Sequence, residues 1–347
     1  WSTETLPGAR WPLTNNWWMT TLSRFRASAL RPSVVQKFAD PDWTAKGERR
    51  ARVWLKRLDT LWINTGTLCN IECKNCYILS SPTNDALVYI SGSETARFLD
   101  EAKTFETREI GFTGGEPFLN PDFLDMLEDA LQRDFEVLVL TNAMQPMQRP
   151  PIKQRMIDLK TRLGEKLTLR VSLDHHSRDL HDEERGEGSF DKALEGISWL
   201  AEHGFNLAIA GRVSLYECEA EGRESYRGLI IENDWPIDAD DNTQLVLFPE
   251  MDGADDTPEV TGACWDILKV KPSDMMCASS RMVVKRKGAA APVVLPCTLL
   301  PYDEAFEMAT TLHEAVNSDG GMFERGAVKL CHPHCSKFCV LGGGSCS

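Results

Sequence analysis

The chain has 347 residues, of which 42% are apolar, so one large domain or a barrel with a smaller module can bury a sizeable core. Its formal net charge of −14 argues against nucleic acid as the main partner, because binding a phosphate backbone needs clustered Lys and Arg. No apolar run reaches the roughly 18–20 residues that span a bilayer, and no signal peptide is visible, so we expect no membrane partner. The eleven cysteines gather mainly in two groups, which favours metal-cluster ligation in a reducing cytoplasm over disulfides.

Residues 1–55 show no clear periodicity but hold five tryptophans, at positions 1, 11, 17, 18 and 43. Tryptophan supplies much buried area, so we predict an N-terminal extension packed across the main domain. A segment that caps a substrate is the alternative.

From residue 56 to residue 252, short apolar runs alternate with amphipathic helical patterns, which indicates parallel strands buried on both faces. The predicted strands are 58–64, 109–113, 135–141, 167–173, 206–213 and 244–248. The predicted helices are 93–105, 121–133, 151–163 and 190–203, with a weaker one near 223–232. Six such units predict an α/β fold, a partial (β/α)6 TIM-like barrel, with its chemistry at the C-terminal ends of the strands.

Directly after the first predicted strand, Cys69, Cys73 and Cys76 stand in the spacing CxxxCxxC. Three thiolates this close together can hold three irons of a [4Fe–4S] cluster and leave the fourth iron without a protein ligand. An open coordination position is typical of a reactive metal centre. A zinc knuckle is the alternative, but zinc sites usually close with a fourth Cys or His nearby.

This motif resembles that of the radical S-adenosylmethionine (radical SAM) superfamily. The resemblance implies that the open iron chelates SAM, and that one electron from the cluster cleaves SAM to methionine and a 5′-deoxyadenosyl radical. It also implies a flavodoxin- or ferredoxin-type reductant. The family usually has an aromatic residue before the third cysteine, where this chain has Asn75. We therefore expect Tyr77 or the backbone to contact the adenine.

After the second predicted strand comes GFTGGEPF, with Gly114, Gly115 and Glu116. It resembles the family's GGEP motif, whose strand edge binds the methionyl amine of SAM, and glycines allow a close backbone approach. The third strand ends in Thr141 and Asn142, where the family often has TNG. By this resemblance Asn142 lines the SAM pocket, although a simple turn explains it equally well.

The fourth predicted strand ends in VSLDHHSRDLHDEERGEGSF, which resembles a segment of relatives with C-terminal cluster modules. The resemblance implies that Ser172 contacts SAM, that Asp174 lies near the ribose and that Arg185 lies nearby. Candidate catalytic residues follow from their position at strand ends: His175, His176, Arg212 and Glu250. Surface histidines and a structural ion pair of the arginine are the plainer alternatives.

The C-terminal segment, residues 253–347, holds seven further cysteines: Cys264, Cys277, Cys297, Cys331, Cys335, Cys339 and Cys346. Two β-rich runs around Gly288 predict a hairpin flanked by cysteines. The arrangement resembles the SPASM or twitch module, which implies one or two auxiliary [4Fe–4S] clusters, although seven cysteines are one short of two fully ligated clusters. A zinc ribbon that uses His332 or His334 is the alternative.

The sequence thus predicts a radical SAM oxidoreductase or maturase that abstracts hydrogen and then oxidises, rearranges or cross-links a small-molecule substrate. A ribosomal-peptide maturase of the same type is the alternative. We weigh it slightly lower because no winged-helix pattern for leader peptides is visible. A non-catalytic iron–sulfur electron carrier and a radical SAM methyl- or aminocarboxypropyl-transferase are further alternatives.

Overall fold

The strands of the computed structural model lie within its described residues, 36–213, 217–249 and 256–342, which belong to one compact unit. They are β1 (Arg52–Val53), β2 (Thr60–Asn64), β3 (Glu109–Thr113), β4 (Glu136–Thr141), β5 (Leu167–Ser172), β6 (Asn206–Val213), β7 (Leu245–Pro249), β8 (Ser280–Val284), β9 (Val293–Leu295), β10 (Phe323–Glu324) and β11 (Ala327–Lys329). Strands β2 to β7 coincide with the six predicted strands to within two residues.

The helices in the same residues are α1 (Gly92–Thr104), α2 (Phe123–Gln132), α3 (Gln145–Gln148), α4 (Pro150–Leu163), α5 (Arg178–Arg185), α6 (Ser189–Glu202), α7 (Glu219–Glu232), α8 (Cys264–Leu268) and α9 (Leu312–Ala315). A π-helix spans Cys335–Leu341. The four strongest predicted helices are confirmed as α1, α2, α4 and α6, whereas α7 begins four residues before the weaker prediction. Local sequence explains the boundaries: Ser91 and Glu94 form a capping box at the start of α1, and prolines open α4.

Eight strands form one sheet in the order β7-β6-β5-β4-β3-β2-β8-β9. All neighbours from β7 to β8 are parallel. The apolar layer of the core follows the register, in which Ile63, Phe112, Val139, Leu169 and Leu207 lie side by side and are buried. The predicted α/β fold with a parallel, helix-covered sheet is confirmed, and all strands β2 to β7 present their C-terminal ends to one edge.

The predicted hairpin around Gly288 is also present, as the antiparallel pair β8–β9. It extends the main sheet, because β8 pairs in parallel with β2, the strand that precedes the three clustered cysteines. A second sheet in the order β1-β11-β10 joins residues near position 52 to the C-terminal segment. The C-terminal cysteines are therefore held against the barrel by two separate sheets.

The described helices include none that is both long and apolar enough to cross a lipid bilayer.

Candidate active site and cysteine-lined cavities

The three cysteines of CxxxCxxC line one cavity of about 120 Å³ at the C-terminal edge of the sheet. Several residues predicted to bind SAM or substrate line the same cavity: Tyr77, Gly114, Gly115, Asn142, Ser172, Arg185 and Arg212. They come from four different strand ends, from the loop after β2 and, for Arg185, from the end of α5. The structure thus brings these candidate residues together.

The cysteine loop is held by direct backbone contact with the two glycines after β3. Gly115 N–H donates to Gly66 O at 2.7 Å, and Glu116 N–H donates to Leu68 O at 3.0 Å. A Cβ at position 115 would lie 2.0 Å from Leu68 O, so a side chain there would push the loop away. Gly114 has φ +141°, which an L side chain rarely adopts. Because these N–H groups are used, carbonyl oxygens are what this backbone can offer a ligand.

The surroundings of the three thiols suit metal ligands. Burial raises the pKa of Cys69 to about 12, with further contributions from Glu116 and from the other two thiols, and burial also raises the pKa of Cys73. A bound metal ion would supply positive charge that favours the thiolate forms of Cys69 and Cys73. Donors already approach the sulfur atoms, since Ser80 N–H donates to Cys76 Sγ at 3.3 Å and Asn142 Nδ2 to Cys69 Sγ at 3.8 Å. Hydrogen bonds to sulfur are typical of iron–sulfur sites, so these residues fit a [4Fe–4S] cluster.

Glu116, predicted to bind SAM, lies fully buried behind the cavity. Its carboxylate accepts hydrogen bonds from Thr141 Oγ1 at 2.8 Å, Asn142 N–H at 2.9 Å and Phe118 N–H at 3.3 Å. Burial raises the pKa of Glu116 to about 7. The three hydrogen-bond donors oppose this effect, because they favour the ionised form. The side chain therefore holds the end of β4 in place, and a role of Glu116 in SAM binding stays a prediction.

Asp174 is buried between two arginines after β5. Arg185 donates to its two oxygens at 2.8 and 3.2 Å, and Arg212 Nε lies 3.4 Å from Oδ1. Burial alone would raise the pKa of Asp174, but the charges of Arg185 and Arg212 hold it below its usual value. Arg212 Nη2 also donates to Asn75 O at 2.9 Å, which ties this network to the cysteine loop. Nη1 of Arg212 is buried without a hydrogen-bond partner among the described residues.

His175 and His176 contact Glu217, just before α7, rather than the lining of the cysteine cavity. The Nε2 atoms of both rings lie 3.5 Å from a Glu217 oxygen, and the ring centroids are 4.0 Å apart. Nδ1 of His175 accepts from Ser177 N–H at 2.9 Å, so the neutral ring carries its hydrogen on Nε2, facing the carboxylate. Burial lowers the pKa of His175, which keeps the ring neutral. Their catalytic role stays a prediction, and Glu250 lies outside the described residues.

A second cavity is lined by four of the C-terminal cysteines: Cys277, Cys297, Cys335 and Cys339. The first two flank the β8–β9 hairpin, and the other two are four residues apart in the π-helix, an element frequently found at functional sites. Burial raises the pKa of Cys277 to about 11. Burial also raises the pKa of Cys297 and Cys335 well above the usual value, and repulsion from neighbouring thiols adds to the effect. Four buried sulfur donors with apolar neighbours fit a fully ligated iron–sulfur or zinc centre.

The remaining predicted ligands do not line this second cavity. Cys331 Sγ lies 3.4 Å from Phe38 O and 3.3 Å from Asp40 O. Cys264 Sγ accepts from Thr261 N–H at 3.4 Å. Cys346 falls outside the described residues. Whether these three cysteines serve a second auxiliary cluster stays a prediction.

An open groove of about 590 Å³ runs between the two cysteine-lined cavities. Cys76 and Tyr77 contribute to one wall, and Tyr302, Asp303 and His334 to another. His334 also lines the second cavity, and its Nδ1 lies 3.0 Å from Leu299 O. The groove therefore shares lining residues with both cysteine-lined cavities.

Residues 63–214 match the family model of the radical SAM superfamily. The matched segment, which is less than half of the chain, is similar to this superfamily, whose members use a [4Fe–4S] cluster and SAM. The matched segment runs from within β2 to just after β6. It includes every described residue that lines the first cavity.

Two curated relatives show what the chain is similar to. AlbA of Bacillus subtilis (strain 168), an antilisterial bacteriocin subtilosin biosynthesis protein, is 29% identical over 150 residues, which are 43% of this chain and 31% of AlbA. The mycofactocin maturase MftC of Mycobacterium tuberculosis (strain CDC 1551 / Oshkosh) is 28% identical over 137 residues, 40% of this chain and 33% of MftC. The chain thus matches about a third of the length of each.

Two solved structures share the fold. Streptococcus suis SuiB bound to SAM has a TM-score of 0.55 at 14% identity, over 77% of this chain and 67% of SuiB. Native anSMEcpe with bound AdoMet and a peptide has a TM-score of 0.53 at 16% identity, over 83% of this chain and 88% of that protein. At these identities the likeness concerns the fold alone.

Sequence reasoning missed two residues near these sites. Glu217 follows β6 without any motif. Arg281 lies in an otherwise apolar strand, where a charged residue normally indicates an exposed edge strand. The tertiary structure, rather than local pattern, brings Glu217 to His175 and His176 and Arg281 to the backbone carbonyl of Cys277.

Proposed function

We propose that this chain is a radical SAM enzyme whose Cys69, Cys73 and Cys76 hold the cluster that binds SAM. The observation that carries the proposal is the convergence of these three cysteines with Gly115 and Ser172 on one cavity. When bound, the cluster and SAM supply a 5′-deoxyadenosyl radical, which abstracts hydrogen from the substrate. A flavodoxin- or ferredoxin-type protein is the reductant we expect.

The chain's own residues position the cofactor. Carbonyl oxygens beside Gly114 and Gly115 offer acceptors for the SAM amine, and Ser172 offers a hydroxyl at the same cavity. Arg212, with one nitrogen left unpaired among the described residues, offers a cation for a carboxylate of SAM or substrate. Asp174 holds Arg185 and Arg212 in place through buried ion pairs.

Formation of 5′-deoxyadenosine tests the proposal. Protein reconstituted anaerobically with iron and sulfide is reduced in the presence of SAM, and the product is measured by chromatography and mass spectrometry. We expect production by the wild type and none by the triple Cys→Ala variant at positions 69, 73 and 76. Cys218→Ala is the matched control, because Cys218 is exposed at the start of α7 and lies outside both cavities. An inactive wild type that still binds iron would instead favour the electron carrier.

We further propose that Cys277, Cys297, Cys335 and Cys339 hold one auxiliary [4Fe–4S] cluster, as the resemblance to SPASM and twitch modules implies. Four buried thiols at one cavity support it. Iron content of the triple Cys→Ala variant tests it: about four residual irons support one auxiliary cluster, and about eight support a second one that includes Cys331 or Cys264. Stoichiometric zinc without iron would favour the zinc ribbon.

For the substrate, a peptide is the better candidate once the groove and the relatives are considered. An open groove between the two cysteine-lined cavities suits an extended chain. The curated relatives include a bacteriocin biosynthesis protein and a maturase, and SuiB has also been solved with its precursor peptide SuiA.

Co-expression with a short peptide encoded beside the gene, followed by mass spectrometry, tests whether the substrate is a peptide. A mass change in the peptide supports a peptide maturase and its value separates oxidation or cross-linking from methylation. An unaltered peptide together with an altered metabolite supports the small-molecule enzyme.

A further inference from the structure

Arg281 is a fully buried arginine at the start of the hairpin that supports the second cavity. None of its surface is exposed, and Nη1 donates to Cys277 O and Ser280 O, both at 2.7 Å. Nε and Nη2 have no hydrogen-bond partner among the described residues. Arg281 also forms no ion pair with any carboxylate in the described part of the chain, unlike the similarly buried Arg50, which pairs with Glu259.

A buried guanidinium without an anion is energetically unfavourable, because burial removes its hydration and nothing replaces it. Nη1 of Arg281 already contacts the backbone carbonyl of Cys277, and Cys277 lines the four-cysteine cavity. The missing anion is therefore to be sought at that cavity.

A [4Fe–4S] core with four thiolates carries about two negative charges when oxidised and about three when reduced. We propose that Arg281 is the buried counter-charge of the metal centre at Cys277, Cys297, Cys335 and Cys339, and that it raises the reduction potential of a cluster held there. The proposal rests on the auxiliary cluster of the proposed function. A fixed positive charge favours the reduced form because that form carries the extra negative charge. Arg281 thus acts on electron transfer through its charge and ligates no iron.

The midpoint potential of the auxiliary cluster tests this role. The triple Cys→Ala variant at positions 69, 73 and 76 removes the first cluster, so that redox titration followed by EPR reports the auxiliary one. In this background we compare Arg281→Met, which removes the charge at similar length, with Arg281→Lys, which keeps it. Arg286→Met is the matched control, because Arg286 lies beyond the same strand and pairs with Glu307.

We expect Arg281→Met to retain iron and to shift the reduction equilibrium constant by about tenfold toward the oxidised form, which is about 59 mV for one electron. Arg281→Lys and Arg286→Met should stay close to the parent. If Arg281→Met fails to assemble a cluster, assembly by Arg281→Lys still supports the counter-charge, whereas failure of both variants contradicts it. An unchanged potential in an iron-loaded Arg281→Met protein also contradicts it. A parent without auxiliary iron would instead overturn the proposed function on which the inference rests.

Discussion

Glu116 and Asn142 are joined across two neighbouring strand ends, where the backbone N–H of Asn142 donates to Glu116 Oε2 at 2.9 Å. The other oxygen of the same carboxylate accepts from Thr141 Oγ1, so one buried side chain after β3 fixes the end of β4. Asn142 in turn donates to Asn70 Oδ1 at 2.9 Å in the cysteine loop. The carboxylate thus links the β4 end to the candidate cluster site.

Replacing Glu116 by Ala should lower the free energy of unfolding by about 1–3 kcal/mol, because it leaves buried donors at Thr141 and Asn142 without an acceptor. Urea denaturation of the metal-free protein measures the change. Glu187→Ala is the control, since Glu187 is exposed, and it should stay within about 0.5 kcal/mol of the wild type. Equal midpoints for the two variants would show that Glu116 does not brace β4.

Replacing Gly115 by Ala should displace the cysteine loop, because its Cβ would meet Leu68 O at 2.0 Å. We expect loss of about four irons, those of the first site, with the auxiliary iron retained. Iron analysis after anaerobic reconstitution measures this. Gly228→Ala is the matched control: its Cβ would meet nothing within 4 Å in α7, so it should keep all iron and stabilise the helix by about 0.5–1 kcal/mol. Full iron content in Gly115→Ala would contradict the close packing.

His181 should make the stability of the protein pH-dependent. It is fully buried in α5, and burial lowers its pKa to about 4, with the charge of Arg185 adding to the effect. An unfolded His titrates near 6.5, so the unfolded chain binds the proton first as the pH falls. The stability present above pH 6.5 is therefore lost toward pH 4, by about 3 kcal/mol.

The pH slope of urea denaturation between pH 7 and pH 4.5 checks this prediction. In His181→Phe the slope over this range should be flatter, because the ring can no longer take up a proton. The exposed His203 provides the control, and His203→Phe should keep the wild-type slope. A His181→Phe slope that matches the wild type would rule out His181 as the source.

The sequence predicted the parallel sheet, and placed the candidate site residues at one edge of it, for a physical reason. Strands β2 to β6 are mostly buried and read as apolar runs. Parallel strands end at one edge of a sheet, so residues such as Gly115 and Ser172 had to meet Cys69. The direction of side chains beyond a strand end depends on local turns. Hence the sequence could not predict that His175 and His176 contact Glu217, away from the cavity lining. Which cysteines share the second cavity depends on how β8 joins β2, a pairing between residues far apart in the chain.

The central claim is that the cluster at Cys69, Cys73 and Cys76 has an iron that SAM can reach, and EPR of the reduced protein tests it most directly. Addition of SAM should change the signal of the first cluster, because a ligand to iron alters its electronic structure, and SAM labelled with 17O or 15N should give hyperfine couplings. The auxiliary signal, recorded in the triple Cys→Ala variant, should not respond to SAM. A wild-type spectrum that stays the same with saturating SAM, and shows no coupling to the labelled atoms, would contradict the account.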